Sequence, residues 1–556
     1  LLLDTPNAIP QLRQFILQLA VQGRLTEQDP DDEPAETLLE RIQIERQRLY
    51  DAGEIRKPKT FESPTSSEVP FSLPSNWTWT RLGIVTNYGR ADKIEPEHIS
   101  EETWVLGLGD IEKDTSQITA RQTFAQRKSK STKNVFHEGD VLYGKLRPSL
   151  NKVILADSGG VCSTEILPLR GYLGLFPAYL LYALKRPDFL SYASKSTAGM
   201  SMPRLRMKDG RKALFPLPPL AEQKRIVATV DRLMDECDAL EATQTQMRET
   251  QSAATVSATH ALRTAPDTDA LRTAWNRVAT HFDTLTATPN AVDELRQTIL
   301  QLAVRGRLTE QDPNDEPAEA LLERIQTEKQ RLYDEKEIRK SQAKLPEIAA
   351  GPSLPDGWIW IELERAGVVN PRHDTDNDTT SSFVPMKLIQ DEVGDRHETE
   401  TRLWGEIRRG YTHFKEGDVG LAKITPCFQN RKSTVFRNLE NGIGAGTTEL
   451  YVFRPLAGTI LPEFVLAFFQ SSAFIRGGVS EMTGTAGQQR VPRSYVEQSL
   501  LPLPPLAEQK RIVKIVDRLM DVCDQLEERL EQSESTGEQW VEAALAGAVD
   551  RKMETV

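Results

Sequence analysis

The sequence predicts an α+β protein in which a helical frame, written twice, holds two inserts of mixed α/β character. Three observations predict it. The segment PLPPLAEQKRIV begins at Pro216 and occurs again, letter for letter, at Pro502. A segment of about 46 residues that begins at Leu12 returns at Leu295 with about eight differences. Between these copies lie two stretches of roughly 150 residues that barely resemble each other.

The two repeated segments have nearly the same offset, 286 residues for the first and 283 for the second. Offsets of this size are too long for a solenoid period and indicate a duplicated half-protein with a pseudo-twofold internal repeat. We divide the chain into frame regions 1–60, 216–344 and 502–556 and inserts 61–215 and 345–501. Residues 257–288, rich in Ala and Thr, form a linker within the central frame region.

Apolar residues in the frame recur at helical spacing. The segment at Leu12 predicts a helix, a turn at GRLTEQDP and a second helix. After Pro218 and Pro219, apolar residues step by four and three, which is the heptad pattern of a coiled coil. We expect the two long helices to pack antiparallel along this seam, which comprises Ile226, Val230, Leu233, Cys237, Leu240, Ile512, Val516, Leu519, Cys523 and Leu526.

The inserts share short motifs although their sequences differ. Each opens with W-x-W, at Trp77 and at Trp358, which predicts a first strand with the Trp residues as core and turn anchors. Later come an EGD turn before a strand, a Thr-Glu pair before another strand, and a Thr-Ala-Gly (TAG) loop at Thr197 and at Thr485. These matched signals predict one mixed α/β skeleton for both inserts.

Net charge is −12, which taken globally argues against a nucleic-acid partner. The charge is unevenly distributed, however. Residues 121–152 contain eight Lys or Arg and two acidic residues, and residues 402–437 contain eight Lys or Arg and three acidic residues. A solvated basic face explains either stretch alone, but one in each unlike insert favours a polyanionic partner.

Other classes find little support. No apolar run approaches the roughly 18 residues of a membrane span. The four cysteines have no C-x-x-C spacing, so we expect neither a disulfide framework nor a metal site, and we expect a cytoplasmic location. GDVLYGKL at Gly139 imitates a phosphate-binding loop, but Leu146 and Pro148 stand where a hydroxyl residue and a helix are needed. No methyltransferase, hydrolase or metalloprotease motif is present, so we expect no catalytic residues.

The repeated Leu12 segment, the W-x-W openings, the TAG loops and above all the two copies of PLPPLAEQKRIV resemble the specificity (S) subunits of type I restriction-modification systems. The resemblance covers essentially the full length. It implies that the inserts are two target recognition domains and that the frame regions are the helical repeats between them.

The resemblance also implies a function. Each recognition domain would read one half of a split, asymmetric site in double-stranded DNA through the major groove, and the coiled coil would fix the gap. A helix from about 219 to 250 spans about 48 Å, a little more than the 34 to 36 Å of one DNA turn. Each repeat region would dock one methyltransferase (M) subunit. Restriction (R) subunits would join through them, and these partners would use S-adenosylmethionine, ATP and Mg²⁺.

The basic stretches and the TAG loops supply the DNA contacts that this resemblance implies. Arg and Lys suit guanine edges and phosphates, and Asn and Gln suit adenine. Insert 61–215 has Met200 and its neighbours where the other TAG loop has Gln488 and Gln489, so its loop is a weaker candidate for reading bases. The candidates are Lys128, Lys130, Lys145, Arg147, Asn151, Lys152, Arg204, Lys423, Gln429, Asn430, Arg431, Lys432, Gln489 and Arg490.

Two alternatives remain open from the sequence. The chain is the recognition subunit of a different, type II-like methyltransferase-nuclease system, or it is a non-catalytic scaffold with incidental basic loops. A scaffold would bind DNA weakly, with strong salt dependence and no sequence preference. No membrane partner is expected.

Overall fold

The computed structural model describes residues 5, 7–199, 201–340, 344, 347–391, 393–456, 458–485 and 487–551. The chain divides into two units. Unit 1 comprises Leu1–Gln246 and Glu534–Val556, and unit 2 comprises Met247–Ser533. Each unit contains one copy of the repeated Leu12-type segment and one insert, so the duplication seen in the sequence is also a division of the fold.

Unit 1 begins with the predicted helix, turn and helix and continues through its insert into the long helix Leu220–Thr264, whose residues after Gln246 belong to unit 2. The end of the second long helix, Leu506–Arg551, belongs to unit 1 from Glu534 onward. Short 3-10 turns connect several strands. The elements are α1 Ala8–Val21, α2 Ala35–Asp51, β1 Thr78–Arg81, α3 Leu82–Val85, β2 Lys93–Ile94, β3 Val105–Leu106, α4 Phe124–Arg127, β4 Lys133–Phe136, β5 Val141–Gly144, β6 Val153–Leu155, β7 Gly160–Cys162, β8 Ile166–Leu169, α5 Pro177–Lys185, α6 Pro187–Lys195, β9 Thr197–Ala198, β10 Arg204–Leu205, α7 Met207–Lys212, β11 Leu214–Leu217 and α8 Leu220–Thr264.

Unit 2 repeats this plan after two helices that occupy most of the predicted linker. The elements are α9 Thr268–Thr280, α10 Phe282–Leu285, α11 Pro289–Ala303, α12 Glu319–Asp334, β12 Ile359–Glu362, α13 Leu363–Ala366, β13 Gly367–Val369, β14 Thr380–Val384, β15 Glu400–Leu403, α14 Trp404–Ile407, β16 Thr412–Lys415, β17 Val419–Ala422, β18 Ser433–Val435, β19 Ile443–Gly446, β20 Leu450–Pro455, α15 Pro462–Gln470, α16 Ser472–Ser480, α17 Arg493–Gln498, β21 Leu500–Leu503 and α18 Leu506–Arg551.

Each insert contains two main sheets, one that includes a parallel pair of strands and one that is antiparallel throughout. In unit 1 their strand orders are β2-β4-β7-β3 and β6-β5-β8. In unit 2 they are β15-β14-β19-β16 and β13-β20-β17-β18. The EGD turns lead into β5 and β17, which lie at the centres of their sheets. The segment that imitates a phosphate-binding loop is therefore strand β5, and no helix follows it.

In each insert the first strand and the last strand pair with each other in a two-stranded antiparallel ladder. Trp79 of β1 lies opposite Pro216 of β11, and Trp360 of β12 lies opposite Pro502 of β21. The W-x-W and PLPPLAEQ motifs are therefore partners in one structure. Trp77 and Trp358, just before these ladders, are buried core anchors as predicted.

A buried carboxylate attaches the insert of unit 1 to its frame. Glu222, in the first turn of α8, accepts hydrogen bonds from the indole of Trp77 at 2.7 Å and the amide of Gln28 at 2.6 Å. The hydroxyl of Thr26 donates a third at 3.2 Å. Glu222 thus joins the helical turn, the opening of the insert and the long helix, and burial raises its pKa.

Unit 2 contains the same arrangement. Glu508 accepts from the indole of Trp358 at 2.8 Å, from the hydroxyl of Thr309 at 2.8 Å and from the amide of Gln311 at 3.1 Å. The letters GRLTEQ and PLAEQ are repeated because they form a hydrogen-bonded anchor in each unit. We call these two sets the carboxylate anchors.

The glutamine that follows each anchoring glutamate holds the next part of the insert. The side-chain oxygen of Gln223 accepts from the backbone N–H of Phe176 at 2.9 Å, at the start of α5. Gln509 does the same for Leu461 at 2.8 Å, at the start of α15. The Glu-Gln pairs are therefore buried and fully used in holding each insert on its frame.

The predicted seam residues lie inside the units. Ile226, Val230 and Cys237 are buried in the same hydrophobic core as Leu17 of α1. In unit 2, Ile512 and Val516 are in the core with residues of α11 and α12, and Cys523 is buried. The first turns of each seam therefore pack on their own unit. Pairing of the two seams in a coiled coil stays a prediction.

Candidate nucleic-acid interface

In unit 1 the basic loop after β5 lies against the segment that follows the TAG loop. The backbone N–H of Arg147 donates to the carbonyl of Pro203 at 2.7 Å, and the N–H of Leu205 donates to the carbonyl of Lys145 at 2.9 Å. An isolated bridge between Leu146 and Arg204 lies between these two bonds. Segments almost 60 residues apart in sequence thus form one surface.

A carboxylate organises the charges of this surface. Glu165 accepts two hydrogen bonds from Nε of Arg204, each 3.0 Å long, and lies 3.9 Å from the ammonium of Lys145. The side chain of Arg204 is 40% exposed, so the ion pair orients a guanidinium that solvent still reaches. Arg147 is exposed beside it. We call Lys145, Arg147, Glu165 and Arg204 the first basic site.

Unit 2 has the corresponding set, which we call the second basic site. The guanidinium of Arg490 donates two hydrogen bonds, both 2.9 Å, to the carboxylate of Glu449. The backbone N–H of Lys423 donates to the carbonyl of Glu449, and Lys423 accepts from Val491. The Lys423 ammonium lies 5.2 Å from the ring centre of Tyr451. The hydrogen bonds from Arg490 lower the pKa of Glu449.

Neither glutamate was among the predicted contacts. Glu165 and Glu449 are the glutamates of the Thr-Glu pairs, which from the sequence alone indicate only the start of a strand. Their presence at the same place in both inserts was visible, but their pairing with arginines about 40 residues downstream was not. The structure therefore gives the Thr-Glu motif a role in holding the arginine that follows the TAG loop.

The remaining candidates in unit 1 are divided between surface and interior. Lys128 and Lys130 are exposed at the end of α4 and after it. Lys152 donates to the carbonyl of Leu108 at 2.8 Å and is half-buried. Asn151 is only 2% exposed, so its amide lies inside the insert.

The remaining candidates in unit 2 show the same division. Gln429 and Asn430 are exposed on the loop after β17, and the N–H of Asn430 closes a turn on Pro426. Arg431 is half-buried. Lys432 is buried and donates to the carbonyl of Met386 at 3.1 Å. Gln489 is half-buried, and its carbonyl accepts from the N–H of Thr425. The Ala of the TAG loop of unit 2 and Met200 of unit 1 lie outside the described residues.

The part of the chain that the structure describes has few features of a metal site, a disulfide framework or a membrane span. No group of three His, Cys, Asp or Glu side chains there is placed to hold a metal ion. The four thiols are free, with Cys162, Cys237 and Cys523 buried. None of the described helices combines the length and the apolar character needed to cross a membrane.

Comparison with known proteins adds independent evidence. Residues 84–247, which include most of the first insert and the start of α8, match the family profile of the type I restriction modification DNA specificity domain. The chain is 47% identical over 263 residues to the type I restriction enzyme EcoAI specificity subunit of Escherichia coli. It is 45% identical over 262 residues to the EcoEI specificity subunit of the same organism. Each match covers 47% of this chain and 44% of the relative, so the matched part spans less than half of either protein.

A solved structure on complex assembly and conformational transition of the type I R-M system has a similar fold. The match has a TM-score of 0.51 and 20% identity, and it covers 86% of this chain and 99% of the other. At this identity the likeness concerns the fold. Residues 84–247 are therefore similar to the type I restriction modification DNA specificity domain, and about half of the chain is similar to the EcoAI and EcoEI specificity subunits of type I restriction enzymes.

Proposed function

We propose that this protein is the DNA specificity subunit of a type I restriction-modification complex. Each insert contacts one half of a bipartite, asymmetric site in double-stranded DNA. The helices set the gap between the half-sites and dock two methyltransferase subunits and, through them, restriction subunits. The chain itself is non-catalytic, and its partners use S-adenosylmethionine, ATP and Mg²⁺.

One observation carries the proposal. The first and second basic sites have the same construction, a basic loop after an EGD strand held against a Glu-paired arginine, although the surrounding inserts differ. Phosphate contacts position a protein on DNA, and base contacts specify the sequence. A shared construction with different surrounding side chains suits two domains that approach DNA in the same way and read different bases.

The frame supports the docking part of the proposal. The carboxylate anchors repeat hydrogen bond for hydrogen bond, and so do the ion pairs beside them. Arg225 pairs with Asp32 at 2.5 Å, and Arg511 pairs with Asp315 at 2.6 Å. A pair of near-identical helical surfaces is what two copies of one methyltransferase subunit would require.

The proposed DNA contacts are the solvent-exposed candidates in and beside each basic site. In unit 1 these are Arg147, Arg204, Lys128 and Lys130, and in unit 2 they are Arg490, Gln429 and Asn430 together with the half-buried Lys423, Arg431 and Gln489. Lys432 holds its loop from inside through its hydrogen bond to the carbonyl of Met386, and the side chain of Asn151 is buried. Lys145 and Lys152 contribute positive charge beside them.

The test is a methylation map. The chain is expressed with the methyltransferase encoded beside its gene in a host without DNA methylation, and N6-methyladenine is located by single-molecule sequencing. The proposal predicts a split motif, a few bases followed by an unspecified gap and a few different bases. A well-formed complex that methylates no defined motif would contradict it and favour the scaffold alternative.

A further inference from the structure

Unit 2 contains a cleft of about 1130 Å³ that the predicted contacts leave unexplained. It is bordered by the turn after α12, the loop after β13, the segment from α14 to β16, and the start of α17. Seven described Lys or Arg side chains line it against two carboxylates. Those used in the argument are Arg372, Arg408, Arg409, Lys415 and Arg493.

Several of these cations are available to a ligand. Arg372, Arg409 and Lys415 form no side-chain ion pair with any described residue, and Arg372 and Arg409 are exposed. Arg408 donates to the side-chain oxygen of Asn377 at 2.7 Å, and Arg493 pairs with Glu497 at 2.8 Å. The excess positive charge of the cleft is therefore mostly not neutralised inside the protein.

The wall of the cleft is rigid and its histidines are uncharged at neutral pH. The ring of His373 stacks on buried Trp404, with centroids 4.6 Å apart, and His413 packs on the same indole edge to face. Burial lowers the pKa of His373 to about 3 and also lowers the pKa of His413. The positive potential comes from arginine and lysine and does not change near pH 7.

The cleft is continuous in sequence with the second basic site. Thr448, on its border, immediately precedes Glu449, which holds Arg490. Arg493, also on its border, follows Arg490 by three residues. The cleft and the second basic site therefore share two chain segments, and we expect one polyanion to contact both.

The chemistry of the lining indicates the ligand. Pockets for small molecules are mostly apolar with few polar groups, whereas interfaces for DNA are polar and strongly positive. Guanidinium groups bind phosphate oxygens in pairs. We propose that this cleft is a phosphate-binding groove, in which Arg372, Arg409 and Lys415 hold the DNA backbone beside the half-site read by the second insert. The inference rests on the proposed function and deepens it.

The first insert does not carry these charges at the matching positions. The FKEGD segment of Lys415 corresponds to FHEGD, with His137, and the residue three after Arg204 is Met207 where Arg493 follows Arg490. The turn residue Lys336 corresponds to Gly53 in the repeated segment. The groove is therefore a feature of the second insert, which we expect to supply more of the salt-dependent affinity.

The experiment compares DNA affinity at several salt concentrations for the wild-type complex and for the double variant Arg372→Gln/Arg409→Gln. The probe is a duplex with the mapped target, and a duplex with a scrambled target is measured beside it. Loss of two phosphate contacts should reduce the slope of log K against log salt by about 1.8 and weaken binding at moderate salt by roughly tenfold. The preference for the target over the scrambled duplex should stay unchanged.

The matched control is Lys387→Gln/Arg396→Gln on exposed positions of the second insert, which removes the same charge outside the cleft and outside the helices proposed to dock the methyltransferase. It should leave the slope close to that of the wild type. If the cleft variant and the control variant have the same slope of log K against log salt, the groove is overturned. If the wild type nevertheless prefers the target duplex, the specificity function stands. A wild-type complex that binds both duplexes alike would overturn the specificity function and the groove together.

Discussion

The carboxylate anchors are alike in the two units, whereas the surroundings of the first and second basic sites differ. Glu222 and Glu508 accept hydrogen bonds from the same three residue types in the same geometry. Around the basic sites, in contrast, only the Glu-paired arginine and the loop pairing are shared, and the charged cleft belongs to unit 2. The invariant part attaches each insert to the frame, and the variable part surrounds the basic sites.

This contrast shows how one scaffold can take different targets. An insert enters and leaves through a single ladder and is held by one glutamate and one glutamine. Between these points the two inserts differ in sequence, while the ladder and the two polar contacts stay the same. The comparison therefore predicts equal effects for equivalent changes in the anchors and half-site-specific effects for equivalent changes in the basic sites.

Removal of an anchor should have the largest effect. Glu222→Ala leaves the indole of Trp77 and the donors of Thr26 and Gln28 without an acceptor in the interior, which should cost about 2–4 kcal/mol. Glu508→Ala should cost unit 2 about the same. Hydrogen exchange of the Trp77 and Trp358 indoles reports each unit separately.

Glu236→Ala is the control for the anchor variants, because its carboxylate is 61% exposed and pairs only with Arg232 along the helix. It should cost less than about 0.5 kcal/mol. If only one of Glu222→Ala and Glu508→Ala lowers the stability of its unit, the two anchors are not equivalent.

Two buried lysines make stability depend on alkaline pH. Burial lowers the pKa of Lys185 in unit 1 and of Lys329 in unit 2 to about 8. Between this value and the unfolded value of about 10.4 the unfolded chain binds more protons, so stability rises with pH, by up to roughly 3 kcal/mol. Below about pH 8 both states are protonated and the dependence ends.

Unfolding measured from pH 7.5 to 10.5 tests this titration. Lys329→Met should abolish the rise of stability with pH in unit 2 and leave it in unit 1. Lys185→Met should abolish it in unit 1 and leave it in unit 2. The same slope in a variant and in the wild type would show that the lysine is not the titrating group. Lys329 corresponds to Arg46 in the repeat, so the two units use different cations at this buried frame position.

The arginines that follow the TAG loops should separate the half-sites. Arg204→Ala should weaken binding by about 1–3 kcal/mol and relax the preference for the half-site of the first insert alone. Arg490→Ala should do so for the other half-site. Both effects are measured by binding to duplexes in which one half-site at a time is randomised. An equal loss of affinity for all sequences would show that these arginines contact only phosphates.

The paired glutamates should have the smallest effect. Glu165→Gln and Glu449→Gln each remove a negative charge beside DNA and loosen the arginine that it holds. Because half-exposed ion pairs contribute only about 0–1 kcal/mol, we expect a few-fold rise in affinity for scrambled duplex and a small loss of discrimination. A fall in affinity for scrambled duplex would indicate that the glutamate is needed to present the arginine at all.

The frame was predictable because its signals are local. Heptad spacing, the prolines before Leu220 and the duplicated letters specify helices and their order, and the W-x-W and EGD motifs mark strands. The resemblance implied that the basic stretches and the TAG loops both lie close to DNA, but it did not predict the backbone contact between them. The roles of Glu222 and Glu508 were not predicted either, because their partners lie almost 200 residues away and a glutamate at a helix start already has a local explanation.

The candidate site was predictable only in part. Spacing cannot separate an exposed Gln429 from a buried Asn151, since both follow strands in polar, basic loops. The phosphate groove was missed because its arginines come from four separate segments, each with ordinary charge. Such a feature depends on tertiary packing, which no single stretch of sequence encodes.

The central claim, that the two inserts are equivalent modules which read separate half-sites, is tested most directly by exchange. The segment 78–217 is replaced by the segment 359–503, since both end in ladders of the same register, and the methylation map is repeated. The account predicts that the half-site of the first insert disappears and that two inverted copies of the second half-site replace it across the same gap. A folded complex that still methylates the original asymmetric motif would contradict the account.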